Sequence, residues 1–293
     1  MRVFVTGATG FIGSVVVEDL IKAGHQVLGL SRSDEGAKFL TDAGAEVHRG
    51  DIYDLESLRS GAAKADGVIH CAFNHDFSKF AENCETDRKV IATIGAELAG
   101  SNRHLVITSG TGHNASGRPR TEEDPLTPSS VNPRGASEEA AESILAEGVS
   151  VSVIRLPQVH DPYKQGLITP LIALARQKGV SAYVGEGANR WPAAHRLDAA
   201  LVYRLALEKA VAGARYNAVG EEGVPLKEIA ESIGRGLKIP VVSVSPEKVA
   251  GHFGWLTMVA GVDMPASSAL TQQRLGWKPT HVGLIADLDE AKF

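Results

Sequence analysis

"RVFVTGATGFIGSVVVEDLIKAG" (residues 2–24) decides the fold. Residues 2–6 are β-branched, aromatic or flanking polar, and read as a strand. Residues 11–23 carry apolar side chains at helical spacing. Between them, Gly7, Gly10 and Gly13 follow the pattern Gly-x-x-Gly-x-x-Gly. Glycines so placed allow a tight turn, close approach of a diphosphate and close packing of helix on strand. The helix then offers free N–H groups and a partial positive charge to the anion. A glycine trio alone is a weak signal, and a plain tight turn is the competing reading. The strand before it and the helix after it favour a dinucleotide site made by Gly7, Thr9, Gly10, Phe11, Ile12 and Gly13.

The same alternation runs outward along the chain. Apolar runs at 26–30, 45–49, 66–72, 104–109 and 149–156 read as strands. Segments 35–43, 55–62, 77–100 and 135–147 read as helices. Strand, helix and strand in this rhythm mean right-handed βαβ units and a Rossmann-type, doubly wound parallel α/β sheet. "ARYNAV" (214–219) completes that sheet. The expected division is a dinucleotide-binding domain over 1–159, completed by 195–219. A smaller, partly helical substrate-binding part takes 160–194 and 220–293, which are richer in Pro and Gly. No internal repeat or low-complexity tract interrupts the pattern.

Composition narrows the function. The chain has 293 residues, 43% hydrophobic and 22% charged, with a formal net charge of −5. That is enough to bury a large core without staples. No Lys/Arg cluster suggests a nucleic-acid or membrane surface. Two cysteines, Cys71 and Cys84, read as reduced and buried rather than as a disulfide framework. A strand begins at residue 2 and no apolar run could span a bilayer, so the expected location is cytoplasmic.

The second strand ends in Ser31, Arg32 and Ser33. An NAD-preferring site places an acid there for the ribose 2′-hydroxyl. A carboxylate would repel a 2′-phosphate, whereas a guanidinium binds one in fork geometry. The sequence therefore predicts NADP(H) over NAD(H), which stays possible; a solvated arginine is the plain alternative. Asp51, followed by Ile52, accepts the adenine amino group or caps the helix beginning near Leu55.

Taken together, these segments resemble the extended, epimerase-like branch of the short-chain dehydrogenase/reductase superfamily. "TGATGFIG" (6–13) is similar to its TGxxGxxG pattern, and "VIHCAF" (68–73) to its His-x-Ala segment. "VITSG" (106–110) resembles the strand carrying the catalytic serine, and "RLPQVHDP" (155–162) resembles Arg-x-x-x-Val-Tyr-Gly-Pro. "HRLDAALVYRLALE" (195–208), "YNAVGEEGVPLKEIAESIG" (216–234) and "RLGWKP" (274–279) extend the likeness nearly end to end. The resemblance implies that Cys71, Ala72, Phe73, Thr108 and Pro157 line the coenzyme.

One segment departs from the branch. Its Tyr-x-x-x-Lys helix is represented by "RGASE", with Arg134 in the tyrosine position and Glu138 in the lysine position. The chain is thus expected to be an atypical member that keeps the helix and loses its acid–base pair. A guanidinium does not give up its proton, so Arg134 can steady a developing oxyanion but cannot replace the tyrosine. Glu138 either accepts bonds from ribose hydroxyls or pairs with Arg134 one turn away, the second being the plainer reading. Ser109, with Thr108 and Thr111 as neighbours of like chemistry, is the candidate holder of a substrate carbonyl. A proton donor must come from elsewhere: His113, His160, Tyr163, or His75 with Asp76. Each histidine alone is more often packed or solvated. His195 and Asp198 are expected to set the start of a helix, and "PRTEEDP" (119–125) to be a solvated loop near the site; Trp191, Trp255 and Trp277 either line the substrate part or, the plainer reading, are partly buried packing. No metal is implied.

Three functions remain open. The first is an NADP(H)-dependent oxidoreductase acting on a small carbonyl or imine with a non-standard acid/base. The second is a redox-neutral isomerase, epimerase or lyase on the same nucleotide site. The third is a non-catalytic NADP(H) sensor. The resemblance also implies a homodimer through helices 77–100 and 135–147.

Overall fold

In the computed structural model, which describes residues 1–112 and 117–292, seven strands pair side by side. They are β1 (Arg2–Thr6), β2 (Gln26–Ser31), β3 (Glu46–Arg49), β4 (Gly67–His70), β5 (His104–Gly110), β6 (Val151–Leu156) and, later in the chain, β11 (Arg215–Asn217). Their order is β11-β6-β5-β4-β1-β2-β3 and every pairing is parallel. The crossovers carry α1 (Gly13–Lys22), α2 (Asp34–Asp42), α3 (Leu55–Ala63), α4 (Phe80–Leu98) and α5 (Gly135–Ala146). This is the α/β architecture that the alternation predicts, with helix ends displaced by at most three residues.

A parallel sheet buries both faces, so its strands are apolar throughout. Val3, Val5, Ile69, Val106 and Ile154 point to one face, against α1, Leu40 of α2 and Tyr203, Ala206 and Leu207. Phe4, Val68, Leu105 and Ile107 point to the other, against Leu58 of α3, Val90, Ile91 and Ile94 of α4, and Ile144 of α5. The strand order reverses between β1 and β4. Such a switch point opens a crevice at the carboxyl ends of the strands, where ligands bind in this class of sheet.

The remainder builds a smaller second layer. β7 (Gln158–Asp161), β8 (Lys164–Gln165), β10 (Arg190–His195) and β12 (Glu221–Pro225) form a sheet in the order β12-β10-β7-β8, and β9 (Ser181–Val184) pairs with β13 (Val241–Val244). Of the later helices, α7 (Arg196–Lys209) lies on the large sheet beside α1, with α11 (Ala269–Leu275) against it; α6 (Ile168–Lys178), α8 (Leu226–Leu237) and the short α9 (Val249–Phe253), α10 (Thr257–Ala260) and α12 (Leu284–Glu290) cover the smaller sheets. Their core gathers Ile172, Trp191, Ile229, Phe253 and Leu288. No helix among the described residues is long and apolar enough to cross a membrane.

Candidate active site

The turn after β1 needs its glycines. Gly7 has φ +65°, and a side chain on it would place Cβ 2.7 Å from the Ala72 nitrogen. A Cβ on Gly13 would lie 2.1 Å from the Gly7 carbonyl oxygen. That carbonyl already accepts the Gly10 N–H at 2.8 Å. Gly10 is exposed and open toward solvent, as are Thr9 and part of Phe11. Ile12 precedes α1 without a side-chain cap; Ser14 N–H already donates to the Gly10 carbonyl at 3.0 Å, whereas the Phe11, Ile12 and Gly13 N–H groups have no acceptor among the described residues and stay available to an anion. The turn therefore fits a dinucleotide diphosphate.

At the end of β2, Ser31 is buried and donates from Oγ to the Ser33 carbonyl at 3.0 Å. Ser33 caps α2 by accepting the Gly36 N–H at 3.1 Å. The Arg32 side chain is 79% exposed, its Nη1 standing 3.7 Å from Asp51 Oδ2. Asp51 does not cap α3: Asp54 does, accepting from Glu56 and Ser57 at 3.2 Å. Asp51 instead accepts the Tyr53 N–H at 3.0 Å, beside half-buried Ile52. The cap lies one residue before the helix, where geometry demands it.

The opposite end of the crevice is closed by a buried polar network. Arg134 stands at the head of α5. Its Nη1 donates to Asp87 Oδ2 at 2.7 Å and Ser137 Oγ at 2.6 Å, and its Nη2 donates to the Thr108 carbonyl at 2.8 Å. Among the described residues Nε–H has no acceptor, and the guanidinium lies 4.2 Å from the Phe73 ring centroid. Asp87 also takes the Ser137 hydroxyl at 2.5 Å and faces His70 Nε2 at 2.8 Å. His70 Nδ1 meets Thr6 Oγ1 at 2.6 Å. Burial would push the Asp87 carboxyl upward, but Arg134 and His70 beside it outweigh that and hold it far below the usual carboxylate range. A chain of contacts thus runs from the last residue of β1 to the position of the missing tyrosine.

Glu138 corrects the expectation. It reaches neither Arg134 nor the crevice but turns toward β6. Arg155 donates to it from Nη2 at 2.8 Å and from Nε at 3.0 Å. Arg215 adds a contact at 3.4 Å. Burial opposes its ionisation, yet Arg155, the Ser109 hydroxyl and Arg120 prevail and keep the carboxyl below its ordinary value. A buried carboxylate needs such partners, and two strand-borne guanidiniums supply them. Ser109 is therefore also displaced from its expected role. It is buried and faces α5, because side chains alternate along β5 and Thr108 takes the other face. The Thr108 hydroxyl donates to the His70 carbonyl at 2.7 Å and shares a bond with Tyr203 Oη at 2.8 Å. The Cys71 thiol lies in the same pocket, and burial pushes it up to about 12. Both cysteines are free. Cys71, Ala72, Phe73, Thr108 and Pro157, the residues expected along the coenzyme, are all half-buried.

His160 is a second correction. It is wholly buried, with Nδ1 2.6 Å from Asp287 Oδ2 and no partner for Nε2 among the described residues. Burial brings its pKa down to about 4, and burial likewise raises Asp287. His195 and His281 stack at 4.7 Å beside this pair. Among the described residues no such cluster is placed to hold a metal. His195 caps α7 by accepting the Leu197 N–H at 3.2 Å. Asp198 is not the cap: it anchors the C-terminal segment through the Thr280 and His281 N–H groups at 3.1 and 3.0 Å. The 119–125 loop is not simply solvated either. Arg120 and Glu122 are buried, and Glu122 accepts the Thr271 N–H at 2.7 Å. His113 lies outside the described residues. Tyr163 is 87% exposed and Thr111 is buried.

The sequence reading missed Thr6, His70, Asp87 and Ser137, as well as two cations over the glycine turn. Lys164 Nζ lies 5.5 Å and Arg196 Cζ 5.2 Å from the Phe11 ring centroid. His75 is exposed on the segment after β4, its ring 5.3 Å from that of Phe73, and partial desolvation followed by the charges of Lys164 and Arg134 holds its pKa below the ordinary value.

Known proteins are similar to this chain over most of its length. An uncharacterised protein of Schizosaccharomyces pombe is 50% identical across 98% of each chain. A UDP-glucose 4-epimerase of Streptomyces lividans is 28% identical, covering 97% of this chain and 93% of its own. In structure, the dTDP-glucose 4,6-dehydratase DesIV of Streptomyces venezuelae, solved with NAD bound, superposes with TM-score 0.78 at 22% identity, covering 100% of this chain and 96% of the other. The profile of the NAD dependent epimerase/dehydratase family matches residues 3–219. With its glycine turn, switch-point crevice and parallel sheet in place, this chain belongs to the NAD-dependent epimerase/dehydratase family, the extended short-chain dehydrogenases, and is an oxidoreductase- or epimerase-like enzyme with a nicotinamide coenzyme.

Proposed function

We propose that the protein is an NADP(H)-dependent oxidoreductase that acts on a small carbonyl or imine compound without a titrating hydroxyl. The observation that carries this reading is Arg134: a fixed cation, anchored by Asp87, Ser137 and the Thr108 carbonyl, occupies the tyrosine position. It steadies negative charge on a substrate oxygen through its remaining N–H, and it has no proton to give at working pH. Preorganised donors of this kind contribute about 3–4 kcal/mol to a barrier. An imine eases the loss of tyrosine further, because an iminium is already activated. The proton comes from water or from His75, which stands at the mouth of the same crevice.

The residues that would hold the coenzyme are Gly7, Gly10 and Gly13 at the diphosphate, Arg32 with Ser31 and Ser33 at a 2′-phosphate, Asp51 and Ile52 at the adenine, and Phe73 and Pro157 toward the nicotinamide. When bound, the coenzyme supplies or accepts a hydride at C4. Glu138 cannot replace the lysine on the nicotinamide ribose, since Arg155 holds it elsewhere. Two measurements test the reading. Dissociation constants should favour NADPH over NADH, and equal values would remove the preference. Deuterium should pass from 4-deuterated NADPH to a carbonyl or imine; label retained while a product still forms would instead assign a redox-neutral epimerase. Binding without any turnover would assign a sensor. A homodimer through the outer faces of α4 and α5 belongs to the same proposal, and light scattering should give twice the 30.9 kDa chain mass.

A further inference from the structure

A row of flat groups leads outward from Arg134. Phe73, against that guanidinium, meets His75 edge-on at 5.3 Å and Phe80 at 6.4 Å. His75 meets Phe77 at 6.2 Å. Phe77 lies stacked on Trp255 at 4.8 Å, with 14° between the planes. Phe73, His75 and Phe77 belong to the segment between β4 and α4, Phe80 begins α4, and Trp255 arrives from the segment between α9 and α10. The stack thus spans the coenzyme-binding sheet and the C-terminal part. Trp255 is 45% exposed and Met258 is 61% exposed, whereas Trp191 and Trp277 are buried. The row thus starts at Arg134, at the reactive end of the crevice, and ends on an indole left nearly half open, an arrangement suited to a flat apolar ligand.

We infer that this row is one wall of the substrate cleft and that the substrate is a carbonyl or imine carrying a flat, apolar body, such as an aromatic aldehyde or ketone, rather than a sugar nucleotide. The inference rests on the oxidoreductase reading above, and it names the substrate class for the same site. Arg134 covers one face of Phe73, and Phe77 and Trp255 cover one face of each other; what the rings leave free offers dispersion and stacking but no acceptors or donors for a row of sugar hydroxyls, which would lose their water without replacement. The wall contributes His75 as its one titratable edge, beside the position where a carbonyl oxygen would meet Arg134.

The test begins with binding, which needs no turnover. The full-length protein, saturated with its coenzyme in the oxidised form, is titrated by calorimetry with 2-naphthaldehyde and with UDP-glucose. Tryptophan emission of the wild type and of Trp255→Phe is followed in parallel. The inference expects heat from the aldehyde and none from the nucleotide, with quenching that Trp255→Phe removes. Trp255→Ala should weaken the aldehyde at least tenfold and leave coenzyme affinity within about twofold; Trp255→Phe should restore most of the aldehyde affinity. No heat from the aldehyde, undiminished binding to Trp255→Ala, or tighter binding of UDP-glucose would overturn it. The two readings fail separately. Aldehyde binding without deuterium transfer keeps the wall and removes the redox reading. Transfer to a sugar carbonyl with no aldehyde binding does the reverse.

Discussion

The two ends of the crevice solve different problems. At the glycine turn the backbone itself is the binding group, and side chains are excluded: a Cβ on Gly13 would collide with the Gly7 carbonyl at 2.1 Å. At the other end side chains are the binding groups, held mainly by one another: Thr6, His70, Asp87, Ser137 and Arg134 form an unbroken series of contacts, with the Thr108 carbonyl as a further anchor. The comparison teaches that an anion site made of backbone survives only unaltered. A proton-relay site made of side chains can be rebuilt, provided every buried charge acquires a partner.

The sharpest way to break the second end is Asp87→Asn. It leaves a partly buried guanidinium without its carboxylate, and removing one member of a buried pair costs about 3–5 kcal/mol. Urea denaturation should show that loss; a change under 1 kcal/mol would mean the network is ornamental. Restoring the family's couple, Arg134→Tyr with Glu138→Lys, should make matters worse rather than better, because Asp87 and Arg155 would both lose their partners.

How much of this contrast was legible follows from what each end is made of. The glycine turn announces itself in three residues at fixed spacing, and the alternation around it gave the whole parallel sheet. Arg134 and Glu138 were legible as replacements, but not what they touch. Asp87 sits at helical spacing with Cys84, Val90, Ile91 and Ile94 on the apolar stripe of α4, so a carboxylate on a buried face was readable and went unread. Glu138 could not be placed from sequence, since which face of α5 it takes is set by Arg155 on the next strand and by Arg215 on β11, much later in the chain. The loop at Arg120 and Glu122 was misread for the same reason: its polar residues are tied to a C-terminal segment by long-range bonds.

A pH series separates sheet stability from the crevice. His104 on β5 is buried between the hydroxyls of Ser150 and Ser152, at 2.7 and 2.9 Å, and burial lowers its pKa to about 4. A folded value below the unfolded one means that its contribution is complete above about 6.5 and fades as the pH falls through about 4. The loss reaches up to about 3 kcal/mol, and His104→Gln should flatten that slope without changing coenzyme affinity.

At the first end, Gly13→Ala should cost about 1–3 kcal/mol by overpacking and abolish coenzyme binding; calorimetry with NADPH checks it, and retained binding would separate the turn from the diphosphate. Arg32→Ala, a milder change at an exposed residue, should weaken NADPH about tenfold and leave NADH nearly untouched, since one charge-assisted contact is lost. The smallest effect is expected far from both ends. Breaking the exposed Lys38–Asp42 pair on α2 by Lys38→Ala should alter stability by only ~0.3–0.5 kcal/mol.

Single-turnover deuteride transfer from 4-deuterated NADPH to an aldehyde, compared between the wild-type protein and Arg134→Lys, reads the role of Arg134 most directly. The substitution keeps the charge and loses the planar fork that three anchors define. Transfer should fall about 10–100-fold while the coenzyme dissociation constant holds within about threefold. Equal rates in the two proteins would contradict it.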